Sequence, residues 1–141
     1  MRILVRTSLA LAVAAVLCTP ALTAGGSKDL EKTPQVKTYR ALLKAVDAGD
    51  YEAYKKTMAA ESAKGMDQQM KDSGMDAKKG MAFLKAMSPA ELKLTSLKVD
   101  GKKANLLATG KVDGELNYGT IELAEEGGEW KVVKQSWTNK K

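Results

Sequence analysis

The sequence predicts an α+β domain in which N-terminal helices pack on a curved antiparallel four-stranded meander, and three observations carry that prediction. Up to Met87, apolar residues recur at three- and four-residue spacing, the period of a helix face. Beyond Ser88 the pattern changes to alternation of apolar and polar residues, the period of a half-buried strand. Asp100-Gly101, Asp113-Gly114 and Glu126-Gly127-Gly128 then divide this second half into four runs. Connections that short join antiparallel neighbours, since a parallel crossover needs a dozen residues or more.

Thr33-Pro34 reads as an N-cap followed by proline at the first helical position, where its missing N–H is not needed. Val36, Tyr39, Leu43 and Val46 continue the face of that helix, which ends near Ala48-Gly49. Asp50 can cap a second helix with Tyr51, Tyr54 and Met58 on one side. Helical pattern covers Glu61 to Lys71, and Gly74 separates it from a helix over Ala77 to Met87. Ser88-Pro89-Ala90-Glu91 has the spacing of a capping box and is expected to make one further turn.

The strands follow. Leu92, Leu94 and Val99 mark the first, Ala104 to Val112 the second and Leu116 to Leu123 the third. In the last, Trp130, Val132 and Lys134 alternate with Lys131, Val133, Gln135 and Trp137. Trp130 and Trp137 are seven residues apart, so an uninterrupted strand would point them to opposite faces. One would then line the helix-covered side, and the other would be exposed or covered by a partner. No internal repeat or low-complexity segment interrupts the chain.

Arg2 and Arg6, with no acid nearby, precede the apolar run Leu9 to Leu17, and small residues lead on to Ala24. This is the layout of a secretory signal peptide over residues 1–24, cut after Ala24 or, as the alternative, after Ala21. The run is shorter than the roughly 20 apolar residues that span a bilayer, so no transmembrane anchor is expected. A lipoprotein signal asks for a small residue before its cysteine, and Leu17 before Cys18 is bulky. Cys18 is therefore expected to leave with the signal, with a lipid anchor at Cys18 as the alternative. The expected localisation is periplasmic or secreted. Without Cys18 the chain has no cysteine, which excludes disulfides, zinc–thiolate sites and cysteine catalysis.

Residues 25–33 read as a flexible leader and 34–139 as one domain. Losing Arg2 and Arg6 lowers the basic count from 23 to 21 against 17 acids, so the net charge falls from +6 to +4. The remaining basic residues are dispersed lysines and one arginine, Arg40. Bidentate recognition of phosphates and bases favours arginine, so no nucleic acid is expected as a partner.

Tyr39-Arg40-Ala41-Leu42-Leu43-Lys44-Ala45-Val46 through Gly49-Asp50 to Tyr54 resembles the opening helix pair of the nuclear-transport-factor-2-like (cystatin-like cone) superfamily. Gly119 to Leu123, and Gly128-Glu129-Trp130-Lys131-Val132-Val133, are similar to the paired last strands of that family, where a glycine turn precedes a Trp-Lys strand. The likeness spans most of residues 34–138 and is to small exported bacterial domains of unknown function. It implies a cone of sheet and helices, often with a cavity, and a homodimer through the sheet as a candidate assembly. A shared fold carries little about activity.

Chemistry is sparse. The chain lacks histidine, the commonest general base and metal ligand, and has neither a nucleophile elbow nor a phosphate-binding loop. No catalytic residue and no cofactor is assigned. An isomerase-like enzyme working through Tyr39, Tyr54, Asp47 and Asp50 is an alternative, although the tyrosines lie on apolar helix faces and Asp50 is accounted for as a cap. Met58, Met66, Met70, Met75, Met81 and Met87 all fall within thirty residues. Thioethers suit Cu(I), which makes a periplasmic copper protein with Met66, Met70 and Met75 as ligands a second alternative, if the loop at Gly74 folds back. The reading adopted is packing, with Met58, Met70, Met81 and Met87 buried against Leu43, Val46 and the sheet, and Met66 or Met75 more exposed. The expected function is non-enzymatic binding of a small apolar ligand or an envelope protein through a cavity or the sheet face. Tyr39, Tyr54, Phe83, Tyr118 and Trp137 are the candidate lining residues.

Overall fold

The computed structural model describes residues 22–24 and 27–140; the expected signal segment up to Ala21, Cys18 included, lies outside the described residues. The order is β1 (Leu22–Ala24), α1 (Ser27–Leu30), α2 (Pro34–Ala48), α3 (Tyr51–Thr57), α4 (Ala60–Asp72), α5 (Ala77–Ala86), β2 (Ala90–Asp100), β3 (Lys103–Val112), β4 (Glu115–Glu126) and β5 (Glu129–Thr138). Helices come first and an antiparallel meander of β2 to β5 after them, so the fold is α+β. The sheet order is β1-β2-β3-β4-β5. Its fifth strand was not anticipated: Leu22–Ala24, read from sequence as the end of the signal, pairs along Leu97 to Val99 of β2.

Local chemistry sets the helix ends. Thr33 accepts from the Val36 N–H with Pro34 at the first helical position, and Gly49 closes α2 in the left-handed conformation. Asp50 caps α3 by accepting from the Ala53 N–H at 2.9 Å. The segment read as a flexible leader differs from expectation, because Leu30 is completely buried and Thr33 Oγ1 donates to its carbonyl at 2.7 Å. The turn expected at Ser88 to Glu91 does not form. Ser88 Oγ donates back to the Leu84 carbonyl at 2.8 Å, so the side chain that would cap a new helix closes α5 instead. Glu91 then enters β2 at a φ of 51°.

The core lies between α2 and one face of the sheet. Val36, Tyr39, Leu42 and Val46 from α2 meet Leu97, Leu106, Ile121, Leu123 and Val132 from the strands. On β3 the buried residues are Ala104, Leu106, Ala108 and Gly110, a strict two-residue period. The opposite face is polar: register places Lys98, Asn105, Glu122 and Lys134 in one row across it.

One irregularity in β5 decides where the tryptophans go. Lys134 opposes Glu122 and Val132 opposes Leu123, so Val133 is an extra residue, a β-bulge. The bulge shifts the alternation by one, and Trp130, Val132, Gln135 and Trp137 all face the helices. The expectation of opposite faces for Trp130 and Trp137 is thus overturned. A bulge frees backbone groups from the ladder, and the junction of α3 and α4 takes them up. Ala59 N–H donates to the Val132 carbonyl at 2.8 Å, and Ser62 Oγ donates to that of Val133 at 2.7 Å.

Candidate ligand-binding cleft

At the open end of the helical layer lies a cleft of about 530 Å³, between α2 to α5 on one side and β4 and β5 on the other. Its volume is within the range of small-molecule sites. Val46, Tyr54, Met58, Met66, Leu84 and Met87 supply an apolar wall, and Trp137 faces them from β5. Trp137 can lie there because Gly119 carries no side chain: a Cβ on it would sit 2.6 Å from the indole ring, whereas a Cβ on Gly110 would touch the ring at an ordinary 3.5 Å and strike Pro89 at 2.7 Å. Pro89 and Val112 border the cleft, with Ser88, Asn117 and Gln135 as its polar neighbours.

The hydrogen-bond directions of those polar groups follow from their partners. The Tyr39 hydroxyl donates to Gln135 Oε1 at 3.2 Å, which turns the amide so that its nitrogen is the free donor at the cleft. Asn117 Nδ2 donates to the Glu115 carbonyl at 3.0 Å. Trp137 Nε1 is buried without a protein partner, the one buried side-chain polar atom so placed among the described residues. Burial pushes the Tyr39 hydroxyl far above the ordinary tyrosine range, against a smaller opposing pull from Arg40, and burial raises Tyr54 as well. Both phenols are therefore neutral at physiological pH.

The structure brings only part of the expected lining together. Tyr54 and Trp137 border the cleft. Tyr39 is fully buried beneath it and acts through Gln135. Tyr118 is corrected to the opposite side of the sheet, where register sets it between Thr109 and Thr138. Phe83 is also removed from the cleft: it is 59 % exposed and lies with Met66, Met70 and Met75 around a separate hollow of about 270 Å³ between α4 and α5. Met87, expected in the core, is 52 % exposed because it follows the last turn of α5 at the cleft rim. Met70 and Met81 are buried as expected.

The Tyr/Asp cluster is not assembled. Asp47 is exposed and pairs with Lys85 at 2.8 Å, Asp50 is spent on its cap, and neither borders the cleft. Among the described residues no group of three or more His, Cys, Asp or Glu side chains stands where it would hold a metal, and no helix is long and apolar enough to cross a membrane.

Sequence reading missed Met58, Asn117, Gln135 and the two glycines beneath Trp137. A signal for the last was present: Gly110 and Gly119 both interrupt strands, and an interior strand glycine marks close approach by another group.

Comparison with curated proteins gives no match, and comparison with solved structures gives none. A family profile described as a domain of unknown function, DUF4878, matches residues 29–133. That stretch runs from the residue before the buried Leu30 to the bulge in β5 and takes in every helix of the cleft wall, and by it the chain belongs to the DUF4878 family.

Proposed function

We propose that the domain is a non-enzymatic binding module of the bacterial envelope, exported by its N-terminal signal, that holds a small apolar molecule in the cleft beneath Trp137. In this reading it is a small relative of the nuclear-transport-factor-2-like cones, whose cavity has kept an apolar lining without acid–base groups. The observation that carries it is the seating of Trp137 against Gly110 and Gly119, opposite Tyr54, Met58, Met66 and Met87. Gly119 makes room for a ring that could otherwise not fit, and methionines give the facing wall an adaptable, polarizable surface. The leftover donor at the cleft, Gln135 Nε2, favours a ligand with one oxygen acceptor on an otherwise apolar body.

The chain has two tryptophans, so a Trp130→Phe variant leaves Trp137 as the only indole reporter. Titration with N-phenyl-1-naphthylamine should change Trp137 emission in a saturable manner with one site per chain. Met87→Lys, at an exposed rim position, should weaken this about tenfold, an energetic loss of about 1.4 kcal/mol. Absence of saturable binding, or binding indifferent to both Met87→Lys and Trp137→Leu, would refute the proposal.

A further inference from the structure

The second hollow has a chemistry the cleft does not use. Met66 and Met70 are one turn apart on α4, and Met75 follows a reversal at Gly74, whose φ is 63°. The backbone there makes two bonds: Met75 N–H donates to the Met70 carbonyl at 2.9 Å and Gly74 N–H to that of Lys71 at 3.1 Å. This is the Schellman arrangement, which sets the residue after the glycine beside the one four positions before the glycine. Its consequence is that the thioethers of Met70 and Met75 are held together by the main chain. Gly80 of α5 faces them, and both sulfurs lie within 4 Å of the point where a Cβ on Gly80 would be. Met66 borders the same hollow from the preceding turn, and the aromatic ring of Phe83 borders it from α5.

A hydrophobic staple at a helix end needs only the pair Met70 and Met75. A third methionine, Met66, on the same hollow exceeds that need. Thioethers are soft, uncharged ligands that keep their donor character at every accessible pH, and they prefer soft monovalent metal ions to Zn(II), Mg(II) or Ca(II). Met75 is 36 % exposed, which gives an ion a route in, and methionine has enough rotatable bonds to draw three sulfurs onto one centre.

We propose that Met66, Met70 and Met75 form a thioether site for Cu(I) between α4 and α5. The site shares Met66 with the cleft and has Met70 and Met75 to itself. The full exported protein, labelled with ¹³C at the methionine methyls, is titrated with Ag(I) as a redox-inert substitute and then with Cu(I) under anaerobic conditions against bathocuproine disulfonate. The methyl signals of Met66, Met70 and Met75 should shift together and saturate at one ion per chain, while those of Met58, Met81 and Met87 stay in place. Met66→Leu with Met75→Leu, which keeps bulk and removes two ligands, should lower the affinity at least tenfold. Met75→Leu alone should leave N-phenyl-1-naphthylamine binding unchanged, so the two sites fail or succeed separately. No shift at equimolar Ag(I), shifts spread over all the methionines, or unaltered affinity in the double variant would each overturn the assignment.

Discussion

Gly119→Ala tests whether the seating of Trp137 organises the cleft. The new Cβ would stand 2.6 to 2.7 Å from three carbons of the six-membered ring. Carbon atoms in van der Waals contact need about 3.5 Å, so the ring has to retreat by roughly 0.9 Å. A rigid indole cannot bend away as a methionine would, and Gly110 bounds it from the neighbouring strand, with the ring 3.5 Å from the point of its own absent Cβ. Overpacking of this kind costs about 1–3 kcal/mol. Against it stands the gain from replacing glycine within a strand, roughly 0.5 kcal/mol, so a net loss of about 1.5 kcal/mol is expected. With a urea slope of about 1.5 kcal/mol per molar, the unfolding midpoint should fall by about 1 M at unchanged slope. In the Trp130→Phe background the emission of Trp137 should also move to the red as the ring leaves its seat. A midpoint within 0.2 M of the parent, with an unshifted spectrum, would show that the ring is not held there and that Gly119 does not shape the cleft.

Deleting Val133 removes the extra residue and leaves Lys134 opposite Glu122 and Trp137 opposite Gly119, so circular dichroism and Trp137 emission should both stay close to those of the parent; an emission shifted to that of exposed indole would show that Val133 is not the extra residue. Tyr39→Phe removes the hydroxyl that holds Gln135 and should cost about 1 kcal/mol, read from the urea midpoint, with Gln135→Leu on top of it costing much less than it does alone. Burial raises the native Tyr39 and Tyr54 phenols above tyrosine's ordinary 10.0, so the native state holds these protons longer than the unfolded chain does. Their contribution is complete below pH 10 and is lost as pH rises beyond it, and Tyr39→Phe should flatten the fall of urea midpoint between pH 10 and 11. A chain starting at Gly25, which lacks β1, should melt within a few degrees of one starting at Leu22, because three edge residues add little beside the four-stranded meander.

Much of the fold was legible because its punctuation is chemical and local. Thr33-Pro34 and Asp50 mark helix starts through side-chain acceptors, and the three glycine turns mark strand ends through left-handed backbone. Each signal needs only neighbours in the chain. What failed depended on partners elsewhere. Ser88 has the sequence of a cap, yet its hydroxyl finds the Leu84 carbonyl first. Leu30 sits in a short polar stretch that reads as leader, and only the space beside β2 explains its burial. Tyr118 was placed in a cavity for being aromatic, whereas parity along β4, counted from buried Gly119 and Ile121, assigns it to the other face.

The bulge at Val133 carries the largest consequence. Without it, the strand beyond Val132 would send Gln135 and Trp137 to the polar face and turn Lys134 and Ser136 toward the helices. Tyr39 would lose its acceptor, Gly119 would lose the ring that covers it, and the methionines of the opposite wall would face a lysine. In this sequence all of these features fit together only when Val133 is bulged out of the ladder. The adjacent pair Val132-Val133 is where strict alternation of apolar and polar residues breaks, and that break was visible in the sequence. Its meaning came from α3 and α4, because Ala59 and Ser62 supply the donors that make the bulge affordable at that position. Ser62→Ala should therefore act on the cleft from a distance: losing the donor to the Val133 carbonyl should loosen the end of β5 and weaken probe binding several-fold, with global stability lowered by no more than about 1 kcal/mol. If binding and amide exchange over residues 133–138 are both unchanged in that variant, the bulge holds its place without the helix, and the coupling between α4 and the cleft does not exist.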